Sequence, residues 1–246
     1  SNFGVILKDI GKFKEAELLT RKAIELSPDF SDAHSNLGTI LKATGDLKEA
    51  EQALRKAIEL NPDDFIAYCN LGNILRDLGK LKEAELVIRK AIELNPNFAN
   101  SHFNLGNILK DLGNLKKAEL SNRRAISINP NYADAYANLG STLRDQGNLE
   151  EAELSIRKAI DLKPDCVKTL SNLGSILNSL GKQKEAELSI RKAIQIKPDY
   201  AKAYFSLSTL KYSENDKNWQ INLFSEDILK NQLKEDKVDI YFARSN

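Results

Sequence analysis

The sequence predicts an all-α protein: an α–α superhelical solenoid of helix hairpins followed by a non-repeat helical C-terminal segment. Three observations predict it. Asn recurs at 2, 36, 70, 104, 138 and 172, and Gly follows two residues later each time, at Gly4, Gly38, Gly72, Gly106, Gly140 and Gly174. Between these marks the apolar residues fall at helical spacing. All six prolines (Pro28, Pro62, Pro96, Pro130, Pro164 and Pro198) stand one per repeat at the same place. A fixed period of this length signals stacked supersecondary units.

Residues 31–64 show the logic of one unit. Ser31 to Thr44 carries Ala33, Leu37, Ile40 and Leu41 on one helical face. Gly45, one of a second periodic series, gives the permissive backbone that ends this helix. Leu47 to Leu60 repeats the spacing with Leu47, Ala50, Leu54, Ala57 and Ile58. Pro62 has no N–H to give and disfavours a helical residue before it, so the second helix stops there. Gly38, Ala50 and Ala57 are small enough for the two helices to approach closely, and a bulky side chain there would cost roughly 1–3 kcal/mol. Glu and Arg stand four residues apart in every second helix, from Glu17/Arg21 to Glu187/Arg191. Each pair supports its helix by only ~0.2–0.5 kcal/mol, which fits a solvated outer face.

This pattern resembles the tetratricopeptide repeat, over residues 1 to about 212. The first aromatic slot of that family holds His34, Tyr68, His102, Tyr136, Leu170 and Tyr204 here. The L-G pair is Leu37-Gly38 and its equivalents. The later aromatic slot has become Thr20, Leu54, Ile88, Asn122, Ile156 and Ile190. Asn122 is the odd one and is expected to weaken the fourth unit. The domain expectation is an array over 1–212 of about six units, the first truncated, and a helical cap or junction over 213–246. Residue 1 enters its unit inside a helix, and Met is absent, so the chain is expected to be a piece of something longer. In the tail, Asp216 to Lys230 (with Trp219, Leu223 and Phe224) predicts an amphipathic helix, and Lys237 to Ala243 starts another.

Composition bounds the function. Lys plus Arg is 36 against 35 for Asp plus Glu, which disfavours a nucleic-acid binder. No apolar run is long enough for a membrane-spanning helix, and the start lacks the features of a signal peptide. Cys69 and Cys166 are too few for a disulfide framework and read as buried small hydrophobes of a reducing compartment, so the cytoplasm is the expected location. His34 and His102 share a slot with Tyr68 and Tyr136 and read as fillers, not a general-base pair. Every glycine is periodic, and there is no HExxH or GxSxG motif. Neither catalysis, a cofactor nor a metal site is expected.

The resemblance implies a concave binding face lined by the first helix of each unit. On it would lie Asn36, Asn70, Asn104, Asn138 and Asn172. Asn is a poor mid-helix residue, by roughly half a kcal/mol against Ala, and an amide both donates and accepts. A row of amides can grip the backbone of an extended peptide. Duplicated ancestry or an internal hydrogen bond would also explain the row, and both alternatives stay open. One turn on stand Asn73 and Asn107, then the cations Arg76, Lys110 and Arg144, with Phe103 beside the row. The cations are either peptide contacts or members of a rim in which they pair with Asp77, Asp111 and Asp145.

The expected function is therefore a non-catalytic scaffold that binds protein or peptide segments. The alternative is the substrate-recognition arm of a larger transferase. The N-L-G-N-I-L-K-D-L-G run at 104–113 resembles the arms of O-linked N-acetylglucosamine transferases, although of that family's Asp ladder only Asp32 and Asp134 remain. The tail from Leu207 through Trp219 to Tyr241 and Phe242 is similar to the junction in bacterial repeat-containing sulfotransferases. A third expectation is self-association through the apolar solenoid end at Phe3, Ile6, Leu7 and Ile10.

Overall fold

The computed structural model describes residues 11–210 and 234–245. Asn2, the first-helix residues Phe3 to Ile10, and the helix expected over 216–230 lie outside these residues. The described residues form helices and turns, with no strand among them. Two compact units divide the chain, residues 1–129 and 130–246.

The first unit holds α1 (Phe13–Leu26), α2 (Ser31–Thr44), α3 (Leu47–Leu60), α4 (Phe65–Asp77), α5 (Leu81–Leu94), α6 (Ala99–Asp111) and α7 (Leu115–Ile128). The hairpins α2/α3, α4/α5 and α6/α7 stack in sequence. α2 also touches α4 directly, and α4 touches α6, so these three form an inner layer with the odd-numbered helices outside. One core runs through the stack. Leu37, Leu41, Leu54, Leu71, Ile74, Leu75, Ile88, Leu105, Ile108 and Leu109 fill it, with Ala50, Ala84 and Ala118 at the close crossings.

Each boundary has a local cause. Gly45 caps α2 at φ 94°, a left-handed conformation that other residues enter only with strain. The Asp46 carboxylate accepts the Glu49 N–H at 3.1 Å and starts α3. Asp64 accepts from the N–H groups of Ile66 (2.9 Å) and Ala67 (3.1 Å) and starts α4. Inside the hairpin, a Cβ added to Gly72 would lie 2.4 Å from the Ile88 side chain, so only glycine admits this crossing.

The second unit repeats the plan with α8 (Ala133–Asp145), α9 (Leu149–Leu162), α10 (Val167–Ser179), α11 (Gln183–Ile196) and α12 (Ala201–Ser208). Leu139, Leu143, Ile156, Leu173, Ile176, Leu177 and Ile190 are its buried core. The non-repeat α13 (Lys234–Ser245) packs on α12 and buries Ile240 and Ala243 there. Phe242 meets Phe205 edge to face, with ring centroids 6.4 Å apart. This helix is longer at both ends than the expected Lys237 to Ala243.

Two devices were not legible as such in the sequence. The first latches three of the inter-hairpin turns. His34 Nε2 lies 2.8 Å from the Pro28 carbonyl, His102 Nε2 lies 2.9 Å from that of Pro96, and Tyr204 donates its hydroxyl to that of Pro198 at 2.8 Å. The aromatic slot thus accepts any ring with a polar atom at its far edge. The second joins neighbouring outer helices. Arg21 reaches Glu49 at 2.7 Å, Arg55 reaches Glu83 at 2.5 Å, and Arg157 reaches Glu185 at 2.6 Å. Each of these arginines also holds the glutamate four residues before it. The outer-face charges therefore bridge repeats as well as turns. Their signal was the glutamate recurring at 15, 49, 83, 151 and 185, which period reasoning applied to one helix at a time passes over.

Candidate functional site

The solvent-facing stripe of each inner helix is set by helical spacing. On α4 it runs through Ile66, Asn70, Asn73 and Asp77, and on α6 through Asn100, Asn104, Asn107 and Asp111. Residues between these stripe positions point into the core, so α4 buries Ala67, Cys69, Leu71, Gly72, Ile74 and Leu75. Within the first unit Asn36, Asn70, Asn73 and Asn107 are half-buried, and Asn104 is buried. Direct contact of α2 with α4 and of α4 with α6 makes the amides a column across three helices. The second unit carries the same positions as Asn138 on α8 and Asn172 on α10, both half-buried.

The amides differ in what they already hold. The Asn104 side chain hydrogen-bonds the Cys69 thiol, which also lies 2.9 Å from Ser101 Oγ. Burial pushes the Cys69 thiol up from its usual pKa against the pull of these two bonds, so the thiol stays protonated and unreactive. Part of the Asn104 amide is thus spent on joining α4 to α6. No protein hydrogen bond engages the side-chain amides of Asn36, Asn70, Asn73, Asn107 or Asn172 among the described residues.

Cations border the column, and acids hold them. Lys42 pairs with Asp77 at 3.1 Å, and Arg76 pairs with Asp111 at 2.5 Å, each pair linking one inner helix to the next. Arg144 pairs with its neighbour Asp145 at 2.8 Å. Lys110 and Phe103 are half-buried on α6, and each has a partner within the protein. The first unit's inner face is consequently a neutral amide surface edged by closed ion pairs. Among the described residues no group of His, Cys, Asp and Glu could hold a metal ion.

Family models agree with this architecture. Tetratricopeptide-repeat models match residues 1–30, 31–64, 53–85, 99–132, 133–166 and 167–200, and a TPR-repeat model matches 72–113. The chain belongs to the tetratricopeptide-repeat family. No curated protein sequence matches it. Among solved structures, this tetratricopeptide array is similar to YrrB, a TPR protein with an unusual peptide-binding site. The two share 27% identity and a TM-score of 0.57, over 75% of this chain and 95% of that one. It is also similar to TTC0263, a thermophilic TPR protein of Thermus thermophilus, at 23% identity and a TM-score of 0.62, over 72% and 96%. A chain of the APC/C hetero-tetramer Cut9–Hcn1 gives a TM-score of 0.77 at 18% identity, over 83% of this chain and 40% of that one. The last two likenesses show the fold alone. Tetratricopeptide arrays are protein-interaction scaffolds, and that is the role the repeats give this chain. No helix among the described residues is long and apolar enough to cross a membrane.

Proposed function

We propose that the inner-helix face binds an extended segment of another protein through its side-chain amides. In the first unit Asn36, Asn70, Asn73 and Asn107 make the contacts, assisted by Asn104, and Asn138 and Asn172 present the same groups in the second. The observation that carries this reading is the half-buried amides of Asn36, Asn70, Asn73, Asn107 and Asn172, which no protein hydrogen bond engages among the described residues, beside cations that already have their partners. An amide can donate to a peptide carbonyl and accept from a peptide N–H at once. Such a grip reads the backbone and tolerates many side chains. The YrrB likeness supports it, since that relative has a peptide-binding site.

Replacing Asn70, Asn73 and Asn107 together by Ala tests it. Three hydrogen bonds at about 0.5–1.5 kcal/mol each predict a loss of roughly tenfold or more in affinity for peptides captured on an array. Because the bordering charges are already paired, affinity is expected to change little between low and moderate salt. Full binding by the triple variant defeats the reading.

A further inference from the structure

The outer helices turn leucine to solvent at one repeated position. Leu18 of α1, Leu86 of α5, Leu120 of α7, Leu154 of α9 and Leu188 of α11 are each 65–69% exposed. Packing does not ask for them. In α3 the same position is Gln52, also exposed, and that helix still buries Ala50, Leu54 and Ala57. A single exposed leucine is ordinary, but the same position left unburied helix after helix along one face marks a surface that another molecule covers. In the first unit two of these leucines, Leu86 and Leu120, stand on consecutive outer helices.

The charges around this pair decide what can cover it. Residues four apart share a helix face, so Leu86 stands between Lys82 and Lys90, and Leu120 between Lys116 and Arg124. Lys90 is held by Glu93 at 3.1 Å. Lys82, Lys116, Lys117 and Arg124 are exposed and have no ion pair among the described residues. α1, α3 and α5 each balance three cations against three glutamates, whereas α7 carries Lys116, Lys117, Arg123 and Arg124 against Glu119 alone. Lys117 occupies the position of Glu83, so α7 offers a cation where α5 offers the carboxylate that holds Arg55. Leucines edged by open cations are complementary to an apolar stripe edged by carboxylates. A second copy turned onto this face would set the same cations against each other. One leucine per helix among charged side chains gives no continuous apolar face to enter a bilayer.

We propose that the outer face of α5 and α7 is a second docking surface, separate from the amide face, which takes an acidic amphipathic helix of a partner protein. The apolar side chains of that helix cover Leu86 and Leu120, and its carboxylates pair with Lys82, Lys116, Lys117 and Arg124. The surface reads charge and apolar side chains where the inner face reads backbone, and neither depends on the other. Its exposed ion pairs are screened by salt, which the closed pairs of the inner face are not expected to transmit to binding there.

The test measures, by fluorescence anisotropy, the binding of two labelled helical peptides to the whole chain. Both carry leucine at every third or fourth position; one has glutamate beside the leucine stripe, and its twin has lysine there. A helix satisfies its own backbone groups and so offers the inner-face amides little to hold. The glutamyl peptide should bind saturably, about tenfold or more tighter than its twin at low salt, and should weaken several-fold at high salt. Leu86→Gln with Leu120→Gln installs the residue that α3 carries at position 52, leaves the core untouched, and should weaken binding roughly tenfold. Lys117→Glu should weaken it about threefold without lowering thermal stability. The variant with Asn70, Asn73 and Asn107 replaced by Ala should bind the glutamyl peptide undiminished. Equal affinity for the two peptides, full binding by the double leucine variant, or lost binding in the triple asparagine variant each overturns the proposal. Self-association of the chain, or attachment to phosphatidylcholine–phosphatidylserine vesicles, that the double leucine variant abolishes overturns it in favour of that other occupant.

Discussion

The hairpins α4/α5 and α6/α7 share one backbone plan and differ in what fills it. Under Gly72 sits Ile88, and under Gly106 sits Asn122; both side chains are fully buried. Asn122 donates from Nδ2 to the Ala118 carbonyl at 2.9 Å, and among the described residues no buried polar side-chain atom lacks a partner. The amide is satisfied but contributes less apolar burial than Ile88. The outer clasp differs in the same way. At α3/α5, Arg55 holds Glu83, and Lys80 holds Glu51 at 2.7 Å. At α5/α7, Lys117 stands in the place of Glu83 and Asn114 in that of Lys80, so among the described residues Arg89 pairs only with Glu85 of its own helix. Glycine and alanine spacing therefore preserves the geometry of a repeat, while its filling and its clasp set how firmly it is held. In a quasi-one-dimensional stack such differences stay local, and native-state hydrogen exchange reads them helix by helix.

The largest break of the comparison makes α5 resemble α7. Ile88→Asn removes a buried apolar side chain and adds an amide that must find a carbonyl; it is expected to cost about 3 kcal/mol. Urea unfolding should show a lower midpoint, and exchange should accelerate across α4 and α5. The reverse change, Asn122→Ile, should raise stability by about 1–2 kcal/mol and slow exchange in α6 and α7 to the rates of α4 and α5. An unchanged rate there means that Asn122 does not limit the hairpin.

Acid should sharpen the contrast next. Burial opposes ionisation of Glu51, but hydrogen bonds from Lys80 and Arg55 outweigh it and hold the carboxyl below its usual pKa of 4.5. A depressed carboxylate stabilises the fold above its unfolded pKa, and that contribution disappears as pH falls through the folded value. Stability of the α3/α5 junction should thus decline below about pH 4.5, and Glu51→Gln should flatten that decline. Glu153, held by Lys182 and Arg157 against burial, behaves alike in the second unit. The smallest effect is expected from Lys117→Glu. It offers Arg89 the partner that Arg55 has in Glu83, on an exposed surface where such a pair contributes ~0.2–1 kcal/mol. Thermal unfolding at low and high salt should show the gain only at low salt.

Much of the fold was legible because periodicity overdetermines it. The Gly, Ala and Pro series each place the same helix ends and crossings, and a single sequence contains many copies of the argument. The Asn column was legible as a set of positions, since helical spacing fixes which residues share a stripe. What the amides hold was not legible, because the Asn104 bond to Cys69 joins residues far apart in the chain and on different helices. The rim pairs Lys42–Asp77 and Arg76–Asp111 were one of two readings open in the sequence, and packing chose it. The groove that α1, α2 and α3 enclose beside His34 was invisible, since a void is a property of three helices and of the side chains between them.

By itself, then, the sequence determined the repeat, its helix boundaries and the face on which the amides stand. These follow from backbone preferences and from side-chain spacing along one helix, which are local. Only the tertiary structure decided which charges are spent, which amides remain open and where a groove is left between helices. Those outcomes depend on distances between helices, and small changes there separate a closed ion pair from an open one.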